Sequence, residues 1–153
     1  MKSVEEYICV DIQGFAIPQF IPKEMTLITQ ENVVHHFLFN APADGFPHKH
    51  RRSIKWLEDY HHGISYSARG ISFDSNIFQH FPANVVYVKG QQKEKFMLDY
   101  YDIVVNLESQ DNSPKIVRTA EYCTYHNKMG YSWVCSKSNA HMIKEYINEN
   151  ILY

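Results

Sequence analysis

Of the residues in this 153-residue chain, Cys123, His126 and Cys135 have the spacing with the most chemistry in it, a C-x2-H-x8-C arrangement. Thiolate and imidazole are zinc ligands, and two intervening residues let a turn aim Cys123 and His126 at one point. A structural zinc site closes with four ligands, so the fourth must come from another histidine, Cys9, a carboxylate or a water. Read without a metal, the same residues are two buried cysteines and a surface histidine. His48, His50, His61 and His62 have the right chemistry for proton transfer near neutral pH, but isolated histidines more often pack or face water. Serine or cysteine nucleophile signatures, a P-loop and a dinucleotide glycine pattern are all missing from the sequence.

A second set of residues concentrates positive charge beside aromatic rings. His48-Lys49-His50-Arg51-Arg52 is followed by Lys55 and Trp56; on a helix Arg52, Lys55 and Trp56 share one face. Cations neutralise phosphates and an adjacent indole stacks on an unpaired base, so the run is a candidate contact for single-stranded RNA. In the competing reading Trp56 packs into the core with Leu57 and the charges cover a solvated helix start. Lys89, Lys93 and Lys95 form another cluster at the rim of a predicted strand, where open α/β sheets bind ligands.

Composition bounds what these residues can be part of. A hydrophobic fraction of 44% with 21% charged residues supplies a real core, and the length suits one domain. Fifteen basic against seventeen acidic residues leave a formal charge of −2, so nucleic-acid binding must come from a local patch. No run approaches the roughly 20 apolar residues of a membrane span, and nothing reads as a secretory signal. Three cysteines argue against a disulfide framework. The expectation is an intracellular, cytoplasmic or nuclear, protein without a membrane partner.

The elements that must position these residues follow from periodicity and punctuation. Tyr7 to Ile12 reads as a strand buried on both faces and ended by Gly14 and Pro18. Glu24 to Thr29 and Val33 to Phe39 form a hairpin turning near Gln30 to Asn32. A helix is expected from Arg52 to Tyr60, and another from Asp74 to His80 with Asp74 or Ser75 as N-cap. Then come a strand at Asn84 to Val88, a helix at Gln91 to Asp99 and a strand at Asp102 to Leu107. Ser136 or Ser138 caps a last helix reaching Glu149, with Ala140, Ile143, Tyr146 and Ile147 on its apolar face. Three strands, then helix, strand, helix, strand, helix is an α/β order that the RNase-H-like architecture satisfies, a mixed five-stranded sheet flanked by helices in a single domain over residues 1–153.

The C-x2-H-x8-C spacing, together with the strand Ile21-Pro22-Lys23-Glu24-Met25-Thr26-Leu27-Ile28, resembles the Maelstrom domain of animal small-RNA pathways. The resemblance implies an RNase-H-like fold and zinc held by a Glu-Cys-His-Cys set. Position by position that set is Glu24, Cys123, His126 and Cys135.

The chain also resembles the DEDD exonucleases, whose first motif, Asp-x-Glu, holds a metal pair. Here the motif reads Asp11-Ile12-Gln13, and an amide cannot supply the charge a hard divalent ion needs. His61-His62-Gly63-Ile64 is similar to the His-Gly-Ile turn of those enzymes. Glu94 stands near their next aspartate, while Lys89 and Lys93 put positive charge where metals would sit, and no acid occupies Ser138 or Asn139. Asp11 and Glu94 are thus the remaining, weak catalytic candidates. The expectation is a zinc-containing domain that binds single-stranded RNA through Lys49, Arg51, Arg52, Lys55, Lys89 and Lys93, without two-metal exonuclease activity. A divergent ribonuclease and a protein-interaction module that has lost its chemistry are the two other readings.

Overall fold

A computed structural model describes residues 4–16, 19–42, 48–110, 113–115, 118–119, 125–126 and 133–151. Strand β1 (Glu5–Ala16) is the axis of the molecule, with every residue from Tyr7 to Ile12 buried, as its unbroken apolar run predicts. It does not stop at Gly14. The register with strand β2 (Phe20–Thr29) shifts between Gln13 and Gly14 and the pairing then continues to Ala16 opposite Phe20. Gly14 permits this because any side chain there would collide with the Ile21 carbonyl.

β2 turns into β3 (Val34–Leu38) through Asn32, whose φ of 68° lies in the left-handed region that Asn tolerates. Thr29 closes the turn. Its N–H donates to Val33 O at 3.0 Å, its carbonyl accepts from Asn32 N at 2.9 Å, and its hydroxyl accepts from Val33 N at 3.1 Å.

The next segment is predicted as one helix and is observed as two pitches. Helix α1 (Arg51–Trp56) runs into a π-helical turn (Leu57–His61) in which the His62 N–H reaches back to Leu57 O at 3.0 Å. Asp74 does cap its helix, accepting from Asn76 N at 2.9 Å, but Ser75–His80 is a 3-10 helix rather than an α-helix. Strand β4 (Ala83–Val88), helix α2 (Gln91–Met97) and strand β5 (Val104–Asn106) complete the sheet. Strands β6 (Arg118–Thr119) and β7 (Trp133–Val134) form a small antiparallel pair that the sequence reading did not anticipate. Helix α3 (Ser136–Asn150) follows β7 directly.

The five-stranded sheet has the order β3-β2-β1-β4-β5, antiparallel among the first three and parallel from β1 through β4 to β5. This is the RNase-H-like mixed α/β arrangement. Alternation along β1 sorts its neighbours. Ile8, Val10 and Ile12 face a core with Met25, Leu27, Phe78, Val88 and Met97, while Tyr7 and Cys9 face Ile143 and Ile147 of α3. Asp11 and Gln13 continue the α3 side of β1. Glu24 and Thr26 continue it on β2, so the polar residues with chemistry lie under the first turn of α3.

Candidate metal centre

That first turn is held by β2. The Ser136 N–H donates to Glu24 Oε1 at 3.0 Å, and the Ser136 hydroxyl lies 2.8 Å from Thr26 Oγ1. The expected cap, Ser136 or Ser138, is therefore corrected. Cys135 is the N-cap residue and makes no side-chain cap bond, because the orphan Ser136 N–H is satisfied by the carboxylate of another element. A negative charge at this helix start is favoured by the peptide dipoles.

The second oxygen of Glu24 faces a cluster. Glu24, His126 and Cys135 each offer one ligand atom, and these atoms all lie within 4.8 Å of one another. Glu24 Oε2 is 3.6 Å from Cys135 Sγ and 3.5 Å from His126 Nε2. All three side chains are buried. The Nδ1 of His126 is bound to the His62 carbonyl, leaving Nε2 turned toward the carboxylate, and Nε2 makes no hydrogen bond although it is buried. A buried nitrogen with its other edge anchored to a carbonyl, beside a carboxylate and a thiol, fits a metal ligand set of mixed O, N and S donors.

The electrostatics describe the cluster without its metal. Burial alone would raise Glu24, but the adjacent His126 ring and its charge, the hydrogen bond with His36 and the Ser136 N–H hold it well below the usual carboxylate range. Burial likewise opposes the His126 charge, yet Cys135, Glu24 and the His62 carbonyl together push its pKa up to about 10. The metal-free centre is thus an imidazolium beside a carboxylate, and a cation entering it must displace protons.

Of the predicted zinc set, Glu24, His126 and Cys135 converge; Cys123 lies outside the described residues. Cys9 does not join them. It is fully buried beside Tyr7, Tyr87 and Ile143, and burial pushes its thiol up to about 12. His36, which the sequence reading passed over, has its Nε2 2.7 Å from Glu24 Oε2. Its signal was the hairpin register, since Thr26 pairs with His36 and the two therefore share the α3 side of the sheet. Tyr125 lies over the His36 ring at 4.7 Å. His62 is buried, with Nε2 3.2 Å from the Gly14 carbonyl and Nδ1 accepting from Ile64 N, and burial lowers it to about 3.

The other predicted residues separate into two groups. Lys49, Arg51, Arg52, Lys55 and Trp56 are exposed on or beside α1. Trp56 is 52% exposed and its ring stacks with His61 at 5.9 Å, with Tyr60 also near at 6.4 Å. The core-packed reading of Trp56 is overturned; Ile54 takes the inward position of the helix. Lys55 pairs with Asp59 at 3.3 Å. Lys89 donates to Ser113 Oγ at 3.0 Å. Lys93, expected as a phosphate contact, pairs with Asp11 at 2.6 Å. Glu94 Oε1 accepts from Asn106 Nδ2 at 3.5 Å.

Compared with family models, curated proteins and solved structures, the chain matches none of them. Among the described residues no helix is long and apolar enough to cross a membrane.

Proposed function

We propose that this chain is a zinc-binding RNase-H-like domain of Maelstrom type that binds single-stranded RNA and lacks two-metal exonuclease activity. The observation that carries the zinc reading is the buried Nε2 of His126, which makes no hydrogen bond and lies within ligand reach of Glu24 and Cys135. Glu24, His126 and Cys135 hold the ion with Cys123 as the fourth ligand, and the ion's role is structural, tying β2 to the start of α3. RNA binding rests on the exposed Trp56 and Tyr60 rings beside Arg52 and Lys55, which suit base stacking and phosphate contact. Among the described residues Asp11 is bound by the Gln13 and Asn139 amides and by Lys93, which supports the non-catalytic reading.

Elemental analysis of purified protein is the test. About one zinc per chain is expected, with loss of zinc and of thermal stability in Cys135→Ser. A wild-type protein free of metal and equally stable would defeat the zinc reading. Binding of labelled single-stranded RNA that weakens steeply with salt is expected separately. Cleavage of that RNA abolished by Asp11→Asn would favour the ribonuclease reading instead.

A further inference from the structure

Where β1 and β4 begin, at the opposite end of β1 from Gln13, the surface carries a groove of about 650 Å³. Its floor is aromatic. Phe78 of the 3-10 helix packs against Tyr100 at 4.5 Å and Tyr101 at 5.8 Å between ring centres, and all three line the groove. The Tyr101 hydroxyl donates to the Phe81 carbonyl at 2.7 Å, tying the segment after α2 to the one before β4, so the floor is pre-formed.

Exposed apolar side chains gather at the same place. Val4, 59% exposed, lines the groove, while Leu98 and Ile103, 48% and 53% exposed, stand in sequence on either side of its lining residues Asp99 to Asp102. Three of the seven large apolar side chains that the described residues expose thus lie in or next to one groove. Apolar surface concentrated in this way marks an interaction site, where the same residues scattered singly would not.

Two carboxylates give the groove its sign. Asp99 and Asp102 both line it and are exposed, and neither makes an ion pair among the described residues. No lysine, arginine or histidine is among the lining residues. The Asp99 charge reaches the rings as well, since burial and that charge together hold the Tyr100 hydroxyl above its usual value. Phosphates are repelled from such a surface, which sets it apart from the basic face of α1. A guanidinium suits it: flat and weakly hydrated, it packs on tyrosine and donates from its edge to carboxylates.

We propose that this groove docks an arginine-bearing, otherwise apolar peptide segment of a partner protein, its guanidinium seated against Tyr100 and Tyr101 and paired with Asp99 and Asp102. The exposed Val4, Leu98 and Ile103 side chains receive the apolar residues on either side of that arginine. The metal centre and α1 contribute no residue to the groove, so the site stands whether or not the chain holds zinc or RNA.

Titration of the nitrogen-15-labelled full chain with a synthetic nonapeptide of leucine and proline carrying two arginines tests this, beside the same peptide with lysine in both places. Backbone amide shifts are expected from Ser75 to Gln79 and from Asp99 to Ile103, saturating below about 1 mM arginine peptide. The lysine peptide should bind about threefold more weakly or worse. Asp99→Asn combined with Asp102→Asn should weaken the arginine peptide by about fivefold or more. Both side chains are exposed, so the double variant should keep its melting temperature. Shifts that are absent, that fall only on other surfaces, or that persist unchanged in the double variant would overturn the proposal. So would concentration-dependent self-association by light scattering that the double variant abolishes, because the occupant would then be α1 of a second copy, whose Arg51, Arg52 and Trp56 are exposed.

Discussion

Gln13 on β1 and Glu24 on β2 are direct partners across the antiparallel ladder, the last pair before the register shifts at Gly14. One belongs to the Asp11 cluster and the other to the Glu24–His126–Cys135 cluster, so the two polar sites are neighbours on one strand pair. They are also bridged by α3, whose first turn gives Ser136 to Glu24 and Asn139 to Asp11. Both sites therefore depend on how that helix seats.

The stability of the metal-free protein should peak near pH 6.5, the ordinary histidine value. His126 is raised to about 10, so its contribution is complete below 6.5 and is lost as pH climbs from there toward 10. His62 is lowered to about 3, so the unfolded chain binds the extra proton and stability falls as pH drops from 6.5 toward 3. Denaturant melts of chelated protein across this range check the maximum. With zinc bound the alkaline loss should vanish, because the ligands have already given up their protons.

Gly63→Ala should destabilise the fold by about 2–4 kcal/mol, measured by urea unfolding. Gly63 has φ +66°, and a Cβ there would stand 2.6 Å from the ring of Trp133, a side chain only 4% exposed and unable to yield. Trp133 lies two residues before Cys135, so metal affinity should fall with stability. Intact affinity would separate β7 from the centre.

Lys23→Met should loosen the segment from Tyr66 to Ala68, whose carbonyls the buried ammonium holds, seen as faster amide exchange there. Burial lowers Lys23 to about 8, opposed by the nearby Glu58 carboxylate. Between pH 8 and the usual 10.5 the unfolded chain binds the extra proton, so wild type should gain stability relative to the variant as pH rises through that window.

Trp56→Ala combined with Arg52→Ala should weaken single-stranded RNA binding by about tenfold or more. Both side chains are exposed, so the melting temperature should move by no more than about 2 °C. Unchanged affinity would locate RNA binding elsewhere or remove it.

The sequence made the sheet legible because its signals are local. The apolar run of β1, the Asn32 turn and the spacing of Ala140, Ile143 and Ile147 each declare an element without help from distant residues. What failed was decided by partners far along the chain. Gly14 reads as a strand end until Ile21 is laid beside it, and Ser136 reads as a cap until Glu24 arrives to serve its N–H. Trp56 looked like core because its hydrophobicity says nothing about which side of α1 the sheet occupies. His36 went unnamed for the opposite reason: the register that aims it at Glu24 was readable, but the motif spacing left the fourth ligand open among the chain's other histidines, Cys9, a carboxylate or a water and pointed to none in particular.

The contact between Ser136 and Glu24 spans 112 positions. During synthesis the β-hairpin leaves the ribosome with Glu24 answered by His36 of the same hairpin, and the Ser136 N–H joins it only when nearly all of these 153 residues have been made. A translation product halted anywhere before Ser136 carries Asp11 and Glu24 without the helix that supplies the Ser136 and Asn139 contacts. Such fragments should be recognised by quality control as incomplete, however well their strands have paired.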